Sequence, residues 1–360
     1  MTILDLSVGT SDLPVPPEAL EALKEAADDV ITHGYCQRTA TMPLLTASTA
    51  WYASRYGLEL EPTTQALTLI GSQEGLAHAL IASAEPGDGV LLASVCYPSY
   101  HGAIKVAGLT PLYMDLDDDF LPNFESVPEA SWASARILLL NYPNNPTSAT
   151  ATDAFFQTAI SLCHKHHLLL IHDNPYVDQA YELSCPSPLC LPGGLDCTLE
   201  LFSFSKSFHL GGFRLGFALG NADAIAALEA VKAPTDFNQW RGIQRMGVTC
   251  LSLPRERLLR DAAIWKSRAV SMVQALSDCG WTGVRMPTAG MYVWAKLPLD
   301  GAYGADDDAY CKDLVTQTGV AVAPGRAFGP GGFGYVRIAL TKPDHVLCQA
   351  AAKMAELLGL

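Results

Sequence analysis

Residues 203–216 read SFSKSFHLGGFRLG, and the text on either side gives that stretch a location. The apolar run LELF (199–202) precedes it and LGFAL (215–219) overlaps its end. Short apolar runs bounded by small residues are the pattern of buried strands. Lys206 therefore falls on a loop at the end of a strand, where sites are usually built. Most lysines are solvent tethers. This one has Ser203 and Ser205 before it, Gly211 and Gly212 after it, and Arg214 eight residues on. An amine in that setting can form a Schiff base with an aldehyde cofactor, and the hydroxyls and guanidinium can hold a phosphate.

Outward from this stretch, further strand candidates alternate with helix-sized segments. They are ALTLI (66–70), GVLLA (89–93), PLYMD (111–115), RILLL (136–140) and LLLIH (168–172), with segments such as ATDAFFQTAISLCHKHH (151–167) between them. The alternation predicts an α/β fold with a mostly parallel sheet covered on both faces. In such sheets ligands gather beyond the carboxyl ends of the strands. After Gly220 the pattern turns helical, and residues 254–279 read as one long helix leading to a second, smaller body. MYVWAKL (291–297), GVAVA (319–323) and YVRIAL (335–340) are the strands of that body. The expected division is an N-terminal arm over 1–34 that also joins the small domain, a large domain over 35–250 and a C-terminal small domain over 251–360.

The 360 residues are 49% hydrophobic, enough for one large core and a smaller one. With 23 basic and 37 acidic residues the formal net charge is −14, which argues against a nucleic-acid binder. No apolar run reaches the ~20 residues of a membrane span, and the N-terminal text has no basic-then-apolar leader pattern. Ten cysteines without a CxxC read as free thiols of a cytoplasmic enzyme rather than a disulfide framework. His164, His166 and His167 end a helix and are read as cations facing water, not as metal ligands. Cys185, Cys190 and Cys197 sit in a Pro- and Gly-interrupted segment (177–200) without zinc spacing, read as a flexible or crossing loop.

Several motifs fall at strand ends. Gly71, Ser72 and Gln73 follow the first strand and open a helix, as either a plain cap or an anion site. Tyr97 lies in CYPSY (96–100), and NYPNNPT (141–147) makes a rigid turn after RILLL. HDNPY (172–176) ends the next strand and carries Asp173 and Tyr176. If buried, Asp173 needs a charged or hydrogen-bonding partner. Arg337 lies within YVRIA and points away from Val336 and Ile338.

Read together, in the order Tyr35, Ser72, Tyr97, Asn145, Asp173, Tyr176, Lys206, Arg214, Arg337, these residues resemble the class I and II aminotransferases, fold type I enzymes that use pyridoxal phosphate. The resemblance runs from about Gly9 to Arg337. It implies a fold type I large domain with a mostly parallel seven-stranded sheet, a smaller α+β domain, and a cytoplasmic homodimer with shared active sites. Its substrates would be an α-amino acid and a 2-oxo acid, with neither nucleic acid nor membrane as partner.

The resemblance also implies roles. Lys206 would carry the cofactor and move the α proton. Asp173 would pair with the pyridine nitrogen, and Asn145 and Tyr176 with the phenolic oxygen. Tyr97 would stack on the ring. Ser72, Gln73, Ser203, Ser205 and Arg214 would hold the phosphate, joined by Tyr35 from across the dimer. Gly9, Asn145 and Arg337 would meet the substrate, Arg337 at its α-carboxylate. Glutamate with 2-oxoglutarate is the usual pair, and the branch is that of aspartate, alanine and diaminopimelate-type enzymes. His209, Thr41 and Thr46 depart from the family pattern. Arg38 and Arg326 are the candidates for a second substrate carboxylate. A C–S or β-elimination lyase would keep the same groups and stands as the alternative. A non-catalytic regulator would lose Lys206 or gain a DNA-binding domain, and a nicotinamide enzyme lacks its GxGxxG.

Overall fold

A computed structural model describes residues 3–182 and 185–360. The larger sheet has seven strands. In spatial order they are Ala66–Leu69, Gly216–Gly220, Thr198–Ser203, Leu169–Asp173, Ala135–Leu140, Gly89–Ala93 and Thr110–Met114. Only Gly216–Gly220 runs antiparallel to its neighbours. The expected α/β architecture is thus present, and each strand boundary lies close to its apolar run.

Alternate residues of the central strands enter different cores. Val90, Leu92, Ile137, Leu139 and Ile171 pack with Leu76, Ile104 and Leu228 of one helical layer. Leu91, Leu138 and Leu170 pack with Trp132, Phe156 and Ile160 of the other. This two-sided burial is why the strands read as continuous apolar text rather than alternation. Because the strands Leu169–Asp173 and Thr198–Ser203 run parallel, their carboxyl ends, Asp173 and Ser203, lie at the same end of the sheet.

The smaller body is built on the antiparallel sheet Ala323–Pro324, Tyr335–Ala339 and Tyr292–Lys296. The linking helix Arg255–Asp278 buries Trp265, Ala269, Met272 and Leu276 against it, and the helix Asp344–Leu358 adds Leu347, Ala351 and Met354. The arm joins this body through Leu4–Asp5, which pairs in parallel with Val320–Ala321.

Three local expectations are corrected. GVAVA is not one strand: Val320–Ala321 pairs with the arm and Ala323–Pro324 with Tyr335–Ala339, because the two halves have different partners and Pro324 has no N–H to extend a ladder. The segment 177–200 is not a flexible loop over its described part. Cys185, Pro188 and Leu189 are buried, and the Tyr56 hydroxyl donates to Cys185 O at 3.1 Å; Leu183 and Ser184 lie outside the described residues. Of the three histidines at the end of the helix only His166 departs from facing water: it is half-buried and stacks on Trp132 at 4.9 Å, whereas His164 and His167 are exposed as expected.

Candidate active site

A cavity of about 650 Å³ opens where the arm, the ends of the central strands and the small body meet. The cofactor and substrate residues named from the sequence line it, except Tyr35 and the two candidate carboxylate readers Arg38 and Arg326. Lys206 is on one turn of helix, Phe204–Ser207, rather than on a loop, immediately after the strand Thr198–Ser203. Ser203 caps that turn by accepting from Ser205 N at 3.2 Å. The Lys206 ammonium donates to Gly9 O of the arm.

Asp173 ends the strand Leu169–Asp173 and is 6% exposed. The Tyr100 hydroxyl donates to its Oδ2 at 2.8 Å, whereas Oδ1 is buried without a partner. Burial pushes the carboxyl up to about 6, against the opposing hydrogen bond from Tyr100. Behind it the fully buried Glu200 carboxylate is held by His172 Nδ1 at 2.9 Å, by Asn174 Nδ2 at 2.8 Å and by the Ser187 hydroxyl. A buried charge persists only with such partners. This network fixes the strand end on which Asp173 stands.

Arg337 is 6% exposed. Its Nη1 donates to Asn145 Oδ1 at 2.8 Å and its Nη2 to Ser7 O at 2.5 Å, while Nε has no partner. Tyr292 and Phe328 lie against its guanidinium, at 4.3 and 4.7 Å from the ring centroids. The strand alternation thus turns Arg337 into the cavity. The Tyr176 hydroxyl is 3.1 Å from that of Tyr292. Burial, then the neighbouring Tyr292, raises it well above its ordinary value, which leaves it a protonated donor at neutral pH.

At the other end of the cavity the helix Ser72–Ser83 begins after Gly71, whose φ of 79° is left-handed. A Cβ at Gly71 would lie 2.5 Å from Arg214 Nη2, so the glycine leaves room for the guanidinium beside free helix N–H groups. Tyr97 closes this end, its hydroxyl donating to Gln73 Oε1 at 3.2 Å. These features fit the cofactor that the resemblance implies. The unpaired Asp173 Oδ1 suits a protonated ring nitrogen, and Arg214 with the helix start suits a phosphate.

Some expected residues lie elsewhere. Tyr35 is 76% exposed and packs on Phe237 at 5.0 Å, outside the cavity. Arg38 is not available to a substrate: it donates to Ala66 O and Thr63 O and pairs with Glu229 at 3.3 Å. Arg326 is held by Asp306, Asp307 and Asp308. Thr41 is buried and donates to Arg38 O at 2.7 Å, which accounts for its departure as local packing. Sequence reasoning missed Tyr100, Tyr292 and His172. Tyr292 was within reach of it, because it alternates with Trp294, which pairs with Arg337, and so shares the sheet face of Arg337.

This sheet, with a lysine just past one strand and a buried aspartate ending its neighbour, is that of a fold type I enzyme of the pyridoxal-phosphate-dependent aminotransferase superfamily. The family model for aminotransferase class I and II matches residues 1–353, and the chain belongs to that family. LL-diaminopimelate aminotransferase of Oleidesulfovibrio alaskensis is 37% identical over 359 residues, covering 99% of this chain and 91% of that protein. A solved structure of a probable N-succinyldiaminopimelate aminotransferase from Thermus thermophilus is 50% identical, with a TM-score of 0.96 over 99% of this chain and 95% of that one. Substrate-bound BacF from Bacillus subtilis is 30% identical, with a TM-score of 0.95 over 99% and 90% of the two chains.

Proposed function

We propose that this aminotransferase binds pyridoxal 5′-phosphate at Lys206, takes a diaminopimelate-type amino donor, and uses glutamate with 2-oxoglutarate as its other pair. One observation carries the reading: Lys206, the unpaired Oδ1 of Asp173 and the buried guanidinium of Arg337 line a single cavity. The donor class is supported by the names of the relatives above.

Arg337 holds the α-carboxylate through its planar fork, exchanging its bond to Ser7 O for one to the substrate. Asn145 keeps the guanidinium oriented. When bound, the cofactor supplies an electron-withdrawing ring that stabilises negative charge at the substrate's α carbon. Asp173 holds the ring nitrogen protonated. The Tyr176 hydroxyl and Asn145 hold the phenolic oxygen. Lys206 would take the α proton on Nζ as a general base and return it as a general acid to the carbon on the far side of the amino nitrogen, the cofactor's exocyclic carbon. Ser72, Gln73, Ser203, Ser205 and Arg214 hold the phosphate, and Tyr97 covers the ring and excludes water.

In this reading the bodies over 35–250 and 251–360 close on the substrate, with the arm over 1–34 between them. A homodimer in the cytoplasm completes the account. Val30, Ile31, Tyr35 and Phe237 are all more than half exposed, an apolar group suited to a second copy. Light scattering of the holoenzyme tests this, and a fully active monomer would exclude shared sites. The experiment on function is a panel of amino donors against 2-oxoglutarate and pyruvate. New amino acid formed from diaminopimelate-type donors supports the reading. Ammonia and pyruvate released from cysteine-like substrates without an acceptor would favour the lyase.

A further inference from the structure

The arm crosses the cavity and is held at every second residue. Ser7 O accepts from Arg337 Nη2 at 2.5 Å, Gly9 O accepts from Lys206, and Ser11 Oγ lies 2.8 Å from His209 Nδ1. The first two contacts occupy groups that substrate and cofactor claim in the proposed function, so they must be released when those ligands bind. The third involves neither group.

The His209 side chain is 3% exposed, and its other nitrogen, Nε2, lies 3.2 Å from Asp261 Oδ2 on the linking helix. A carboxylate only accepts, so Nε2 carries a proton, and in the neutral imidazole Nδ1 then accepts from the Ser11 hydroxyl. Ser11 Oγ in turn accepts from Leu13 N at 3.2 Å. The hydrogen bonds therefore run in one sense, from the arm through the imidazole to the helix. His209 also holds a left-handed φ of 61°. A non-glycine residue keeps that conformation only where its surroundings over-determine it, and such strain concentrates at functional sites.

We propose that His209 is a positioning residue for the reaction. Through Ser11 it pins the arm over Lys206 while Arg337 and Lys206 exchange their arm contacts for ligands, and Asp261 acts through it by fixing the imidazole tautomer. The proposal rests on the roles given to Lys206 and Arg337 above. It assigns a purpose to the residue at which this chain departs from its family's lysine motif.

The test measures hydrogen exchange of the arm peptide and donor kinetics for Ser11→Ala, His209→Asn and Asp261→Asn, with exchange followed in cofactor-loaded and cofactor-free protein. Asparagine tolerates the left-handed backbone, but its short amide cannot span both partners. Losing one buried hydrogen bond predicts about tenfold faster arm exchange in Ser11→Ala and His209→Asn. The donor KM rises about tenfold, with a smaller change in kcat. Asp261→Asn gives the same pattern alone and adds little in the His209→Asn background. Unchanged arm exchange with unchanged KM overturns the proposal, as does full additivity of Asp261→Asn and His209→Asn. If His209→Asn does not fold, Ser11→Ala decides on the same two readings. A parent protein without a visible cofactor band would instead contradict the role of Lys206, while arm exchange in the cofactor-free protein would still report on His209.

Discussion

The Tyr100 hydroxyl donates to one oxygen of Asp173 at 2.8 Å and leaves the other buried and unpaired. The second oxygen is therefore placed to accept from a cationic partner, and burial raises the carboxyl from 3.8 to about 6. Between about pH 4 and pH 6 the folded carboxyl keeps a proton that the unfolded chain has released. Its contribution to stability is full below that window and is lost as pH rises through it, by on the order of 3 kcal/mol. The Tm of the cofactor-free parent, measured relative to Asp173→Asn, should fall across the window. A difference that stays constant with pH would contradict the burial argument.

Gly9→Ala should damage the site without touching the chemistry. A Cβ there would lie 1.9 Å from the Tyr292 hydroxyl oxygen, and Tyr292 is itself buried. Either the arm lifts from Lys206 or Tyr292 leaves Tyr176. Displacements of that size predict a loss of about tenfold or more in kcat/KM and about 1–3 kcal/mol of stability, read from donor kinetics and thermal melts. Parent-like values in both would show that the arm does not lie where it is described.

How much of this was legible in the sequence depended on the kind of constraint. Strands buried on both faces leave unbroken apolar text, so RILLL and LLLIH marked the central sheet, and the turns after them located Asn145 and Asp173. Residues that act through one long-range contact left no local mark. Tyr100 reaches Asp173 across 73 positions, and His209 reaches Ser11 across 198. The arginines show the converse. Arg38 and Arg326 read as free cations because Glu229 and the Asp306–Asp308 run come close to them only in the fold. Tyr35 is visible as text, but its proposed partner belongs to a second copy of the chain.

Arg337→Ala should remove the grip on the α-carboxylate. Loss of a charge-assisted pair of hydrogen bonds predicts about 100-fold in kcat/KM for every amino donor alike. Donor kinetics with the cofactor band intact would check it. A loss confined to one donor would assign Arg337 to the side chain instead.

Arg38→Ala and Arg326→Ala should leave the ratio of kcat/KM between a dicarboxylic and a neutral donor within about twofold, since both guanidinium groups are already engaged away from the cavity. A several-fold loss confined to the dicarboxylic donor would mean that one of them swings into the site.

The central claim is that Lys206 is the cofactor lysine, and borohydride reduction of the holoenzyme followed by peptide mass analysis tests it most directly. Reduction fixes the cofactor to the lysine that carries it. The account predicts a single labelled peptide, the one containing Lys206, and no label, visible band or turnover in Lys206→Ala. Label on another lysine, or turnover at the parent rate in Lys206→Ala, would contradict it.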